Sequence, residues 1–318
     1  MQGMELAKKY YETYGARMIA ETCGNLADRI AVGLVGEGSQ CFGFDDAISP
    51  DHDFGPGFCI WMLEPDYTRC REKLSAAYQA LPEDFLGFTR RNIQDQSRVG
   101  VMTVKGFYRK YLGLEQPPVT NREWLFLKET DLALCTNGAV FRDDCGEFTG
   151  FREALLRFYP QDILRKKIAA RAAVMSQAGQ YNLLRCLRRQ DAMAAMFALS
   201  RFSESALSMV HLLNRRYMPF YKWSYRSAQG LEKMQQTVQK IGNLPQTFTA
   251  VGCGDFAAAE KLAFEQTESI CEDTAQELNR QGFSRNRSAF LQEHLPEIMA
   301  EIRDEQIRRL PPIFDYGI

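Results

Sequence analysis

The sequence predicts an α+β protein in two parts: a mixed β-sheet with flanking helices over residues 1–150, followed by an all-α helical domain over residues 151–318. Short apolar runs bounded by Gly, Pro, Asn and Asp recur through the first part, with helical patterns between them. Strand-like alternation then disappears after about Thr149, and long patterns rich in Ala, Leu, Met, Arg and Gln continue through Ile307. The change of character falls near Tyr159-Pro160, with no internal repeat and no low-complexity linker.

Each element has its own signal. Leu6, Tyr10, Tyr14, Met18 and Ile19 recur at near-helical spacing and predict an amphipathic helix over residues 4–23. The apolar run of residues 30–35 predicts a buried strand that ends in a tight turn at Gly36-Glu37-Gly38-Ser39. A second strand is predicted over residues 58–63, and a helix over 67–80 that Pro82 stops. Residues 99–104 read as a third strand and 105–112 as a helix. After Pro117-Pro118 a helix is predicted over 121–135, ended by Asn137-Gly138, and then a fourth strand over 139–142. In the helical part Met193, Met196, Phe197, Met209 and Leu212 recur at helical spacing and read as core.

Composition bounds the function. The chain has 318 residues, 45% of them hydrophobic and 25% charged, which is ordinary for a globular protein with a sizeable core. The formal net charge is -1. That gives no global basic field to hold a long nucleic acid, so a small or locally bound substrate is expected. No stretch approaches the apolar length of a membrane span, and the first residues, with Glu5, Lys8, Lys9 and Glu12, lack the apolar centre of a secretion signal. No membrane partner and a cytoplasmic location are expected. Nine cysteines without a C-x-x-C pair read as reduced thiols, mostly buried or partly buried.

The most informative stretch is Gly38-Ser39 followed by Asp51-His52-Asp53. In extended chain, residues i and i+2 point to one side, so Asp51 and Asp53 should converge. Two carboxylates that close repel unless a cation lies between them, and hard oxygen ligands favour magnesium or manganese. The glycine lets backbone N–H groups approach a phosphate, and a following helix start favours negative charge. A phosphate grip beside a metal grip points to phosphoryl or nucleotidyl transfer. Asp45 and Asp46 read as a solvated loop, and His52, aimed to the opposite side by alternation, as a structural histidine.

The order of strand, Gly-Ser turn and Asp-x-Asp resembles the nucleotidyltransferase superfamily that includes aminoglycoside nucleotidyltransferases and polymerase-β-like enzymes. More narrowly, residues 36–39, residues 49–58 and the run Arg216-Tyr217-Met218-Pro219-Phe220-Tyr221-Lys222-Trp223 resemble the DUF4037 family. The resemblance implies an N-terminal nucleotidyltransferase fold followed by a helical substrate-binding domain. It implies that Gly38 and Ser39 hold nucleotide phosphates and that Asp51 and Asp53 bind magnesium (or manganese) ions bridging the triphosphate. A third carboxylate from a later strand is expected to be Asp143, with Asp144 its rival. The sequence departs from many members in that Asp53 is followed by Phe54-Gly55-Pro56-Gly57 rather than directly by an apolar strand.

In the helical part, Arg185, Arg188 and Arg189 fall on one helix face and read either as a solvated face or as a cationic wall for phosphate. Lys222, among Pro219, Phe220, Tyr221 and Trp223, is expected either to snorkel or to point at the triphosphate. Tyr221 and Trp223 are candidates to stack on a base or sugar. The expected activity is transfer of a nucleoside monophosphate from an NTP to a hydroxyl of a small molecule or a protein, with release of pyrophosphate. The rival expectation is a nucleotide-binding or interaction module with the same fold and no turnover.

Overall fold

The structure is a computed structural model that describes residues 1–51, 54–90 and 96–315. The chain divides into two compact units, Met1–Pro118 with Asp131–Arg157 and Val119–Thr130 with Phe158–Ile318. The expected boundary at residue 150 is therefore displaced, since the helix Glu147–Leu156 belongs to the first unit and an earlier segment belongs to the second.

The first unit is built on a four-stranded mixed sheet. Its strands are β1 (Ala31–Leu34), β2 (Cys59–Met62), β5 (Gly100–Thr103) and β6 (Ala139–Arg142), in the order β5-β2-β1-β6. A small hairpin of β3 (Asp84–Phe85) and β4 (Phe88–Thr89) lies apart from it in sequence order between β2 and β5. β1 is antiparallel to β2 and to β6, whereas β2 and β5 run parallel. All four predicted strands form, trimmed by a residue or so where their apolar runs overshoot the ladder.

Apolar burial positions the sheet. Tyr10, Met18 and Ile19 of the N-terminal helical segment pack with Phe58, Ile60, Leu74 and Tyr78 in one buried cluster. That segment is interrupted by a wider turn at Tyr11–Gly15 between the helices Gly3–Tyr10 and Ala16–Cys23. Trp61 of β2 stacks on Phe148 at 3.8 Å, and Tyr108 on Phe151 at 3.6 Å. Each such side chain withdrawn from water contributes on the order of 1.5–3 kcal/mol.

The second unit is helical among its described residues, and the helix Ala192–Leu213 packs along Gln161–Met175. The expected helix over 121–135 is instead two helices, Asn121–Phe126 and Glu129–Thr136, because Leu127 turns to extended backbone. Thr120 and Glu123 form a reciprocal capping box at the start of the first. Two of the five residues of the expected core stripe are core. Met209 and Leu212 are fully buried, but Met193, Met196 and Phe197 are exposed, because the first turns of their helix bury Ala195, Ala198, Leu199 and Phe202 instead.

All nine cysteines are free thiols, six of them buried. No helix among the described residues is long and apolar enough to cross a membrane.

Candidate functional site

The antiparallel register brings four chain segments to one end of the sheet. Gly33 pairs with Cys59, Cys59 with Gly100, and Leu34 with Ala139. The turn leaving β1 therefore lies at the same end as the starts of β2, β5 and β6. Gly36, Glu37, Gly38 and Ser39 make that turn, with φ of 120° at Gly36 and 110° at Gly38. Side chains with a Cβ rarely adopt such values. A Cβ at Gly38 would also collide with the guanidinium of Arg98, just before β5, so the glycine admits a cation against the turn.

Two tertiary contacts fix the turn. Asn137, just before β6, donates from Nδ2 to the Gly36 carbonyl at 2.7 Å and accepts the Gly36 N–H at Oδ1 at 2.9 Å. Ser39 Oγ donates to Ser49 Oγ at 3.3 Å, and the Ser49 backbone N–H donates to Asp46 Oδ1 at 3.2 Å. Ser49 opens the short helical turn Ser49–Asp51, so the hydroxyl contact ties the Gly-Ser turn to the segment that carries Asp51. Asp53 and His52 lie outside the described residues.

Asp45 is not the solvated loop residue its sequence suggests. Its Oδ2 accepts the Gly3 N–H at 2.8 Å, while its Oδ1 is buried with no hydrogen-bond partner. Gln40, next to Ser39, is buried and its Oε1 has none either. Spare buried oxygens of this kind suit a hard cation, and the positive-φ glycines beside Arg98 suit an anionic phosphate. Glu37 in the turn pairs with Lys110 at 3.3 Å. Burial, reinforced by the Glu37 charge, pushes the Tyr111 hydroxyl well above its usual pKa, so it stays protonated. Burial likewise raises the Cys59 thiol to about 12, which keeps it from acting as a thiolate.

Asp143 is not brought to this end. β6 runs antiparallel to β1, with Arg142 opposite Val32, so the residue after Arg142 leaves the sheet at the end away from Gly38. Its carboxylate is also engaged, accepting the Gly146 N–H at 3.0 Å and the Thr149 N–H at 2.7 Å. That makes Asp143 a cap for the helix Glu147–Leu156. Its rival Asp144 is paired with Arg142, which also holds Asp28 at 2.6 Å. Among the described residues, no group of three or more His, Cys, Asp or Glu side chains gathers to hold a metal.

In the second unit the expected phosphate contacts are exposed. Lys222, at the start of the helix Tyr221–Gln229, lies 5.1 Å over the Trp223 ring. Arg185 stacks 4.8 Å over Tyr181, and Arg188 is paired with Glu260 at 2.7 Å. This fits the solvated-face reading of the three arginines.

Sequence reasoning passed over Asn137, taken only as a helix stop, and Arg98. It also passed over Lys166, Lys167 and Arg171, which are buried in the helix Gln161–Met175 together with Glu129. Two lysines and an arginine inside an apolar helical run were the available signal.

Residues 124–224 match a family described as Domain of unknown function (DUF4037). The match spans the run at residues 216–223 but neither the Gly-Ser turn nor the Asp-x-Asp segment. No curated protein and no solved structure matches the chain.

Proposed function

We propose that the first unit is a nucleotidyltransferase domain that binds an NTP at the Gly36–Ser39 turn and transfers its nucleoside monophosphate to a hydroxyl acceptor. The observation that carries this reading is the Ser39–Ser49 hydroxyl contact, which sets the Gly-Ser turn beside the Ser49–Asp51 segment at one end of the sheet. Gly38 and Ser39 would hold phosphate oxygens, with Arg98 against Gly38 adding positive charge. Asp51 and Asp53 would hold magnesium or manganese. Such an ion, when bound, supplies charge neutralisation of the polyphosphate and acidifies the attacking hydroxyl. Asn137 positions the turn through its two bonds to Gly36. The spare Oδ1 of Asp45 is a better candidate than Asp143 for the additional carboxylate.

A second reading, a nucleotide-binding module without turnover, is favoured by the engagement of Asp143 as a helix cap. One experiment separates the two. The purified protein is incubated with each labelled NTP, magnesium and a metabolite extract, and pyrophosphate and mass-shifted products are followed. Pyrophosphate release that Asp51→Asn abolishes supports the enzyme. Magnesium-dependent NTP binding with no pyrophosphate under any condition supports the module, and no NTP binding with or without metal overturns both.

A further inference from the structure

The second unit contains a buried charge cluster that the proposed chemistry does not use. Lys166, Lys167 and Arg171 lie on one helix, and each is at most 1% exposed. Arg171 donates to Glu129 Oε1 and to Asp315 Oδ2, both at 2.6 Å, and Ser208 Oγ donates to the same Glu129 oxygen at 2.8 Å. Lys167 reaches Asp315 Oδ1 at 3.0 Å, and Lys166 donates to the carbonyls of Pro311 and Pro312 at 2.7 and 2.8 Å. Three cations thus face two carboxylates in a place where an uncompensated ion is heavily penalised.

The second of those carboxylates arrives on an unusual carrier. Residues 310–315 form neither helix nor strand, and Ile313 is 45% exposed. The polar contacts of the two proline carbonyls and Asp315 hold this segment, so an anion that satisfies the same cations can compete with it. The cluster also has unused hydrogen-bonding capacity. Tyr159 Oη, whose ring lies 5.0 Å from Lys167 Nζ, and Glu129 Oε2 are both buried without a hydrogen-bond partner. An oxygen-rich anion could accept from the first, and an anion with an acidic hydroxyl could donate to the second. Hydrogen phosphate and phosphate monoesters offer the needed charge and acceptors, and hydrogen phosphate offers the hydroxyl as well.

We infer that Lys166, Lys167 and Arg171 form a phosphate-binding site for which Asp315 is the built-in stand-in, and that residues 310–315 are a strap which a phosphate ligand displaces. This goes beyond the nucleotide site and stands on the second unit alone.

The test is hydrogen exchange of the full-length protein in chelator and without nucleotide, so its failure leaves the NTP reading untouched. The backbone amide of Phe314, which donates to the Pro311 carbonyl at 2.9 Å, is followed as inorganic phosphate is raised, with potassium chloride of equal ionic strength as control. A parallel arm uses ribose 5-phosphate to tell a monoester from free phosphate. Phosphate stabilises folded proteins in general and by that route slows exchange. Displacement of the strap instead accelerates exchange at this amide by about tenfold or more, with the chloride control unchanged. In Asp315→Asn the phosphate concentration for half effect falls, on the order of tenfold, because the stand-in charge is gone. Unchanged or slower exchange in the parent with both phosphates overturns the inference, whether or not the variant folds. Equal acceleration by chloride overturns it as well, since it would mark mere screening.

Discussion

Asn137 and Gly36 clasp each other through two hydrogen bonds, one in each direction, although they stand 101 residues apart in the chain. The side-chain amide behaves as a strand neighbour would, satisfying both backbone groups of a glycine whose φ of 120° takes it out of the sheet. Asn137→Ala leaves both groups without their partner. The expected loss of stability is about 1–3 kcal/mol, read by urea denaturation, and NTP with magnesium should then stabilise the variant less than the parent.

Gly38 is under two constraints at once, a φ of 110° and the guanidinium of Arg98 where a Cβ would stand. Gly38→Ala should therefore cost on the order of 1–3 kcal/mol in stability. It should reduce NTP affinity more than Gly43→Ala, since Gly43 has φ of 68° but open space around its Cβ position. Equal effects on affinity would remove Gly38 from the phosphate contact.

Asp143 and Asp51 should behave in opposite ways. Asp143→Ala removes a helix cap and should lower stability by about 1 kcal/mol while leaving magnesium-dependent stabilisation by NTP intact. Asp51→Asn should leave the melting temperature of the free protein nearly unchanged and abolish that stabilisation. Thermal melts with NTP, in magnesium and in chelator, read both.

Lys166 gives a pH signature. Burial, helped by the neighbouring charges of Lys167 and Arg171 and opposed by Asp315, pulls its pKa down to about 8 from the ordinary 10.5. Below pH 8 the ammonium is charged in both folded and unfolded chains, and the full burial penalty applies. Between pH 8 and 10.5 the unfolded chain binds more protons than the folded one, so this group's contribution to stability rises with pH. The stability of the parent minus that of Lys166→Met should accordingly increase across this window. Taking the difference removes the opposing ionisation of thiols and tyrosines common to both proteins. A flat or falling difference would show that Lys166 is not penalised by its burial.

The strands at residues 31–34, 59–62, 100–103 and 139–142 were legible because each is a short apolar run closed by turn residues. The hairpin around Leu86-Gly87 was not, since only two residues pair on either side of it. Nothing local marks the break at Leu127, whose carbonyl accepts from the distant Lys167 at 3.4 Å. The Gly-Ser turn could be read from residue types and spacing. Asn137 could not, because its role lies in a contact with a residue far away in the chain. Asp143 went astray for a related reason. Spacing shows that a strand precedes it, but only the antiparallel pairing of β6 with β1 says at which end of the sheet that strand stops.

The interleaving of the two units constrains how this protein is taken apart. A fragment beginning at Phe158 lacks Glu129, and Arg171 is left with one of its two carboxylates. A fragment ending at Pro118 lacks β6, so the sheet gains a bare edge along β1 and the Gly36 turn loses its clasp. No single cut yields either unit whole. For the same reason one recombination point cannot exchange either unit whole.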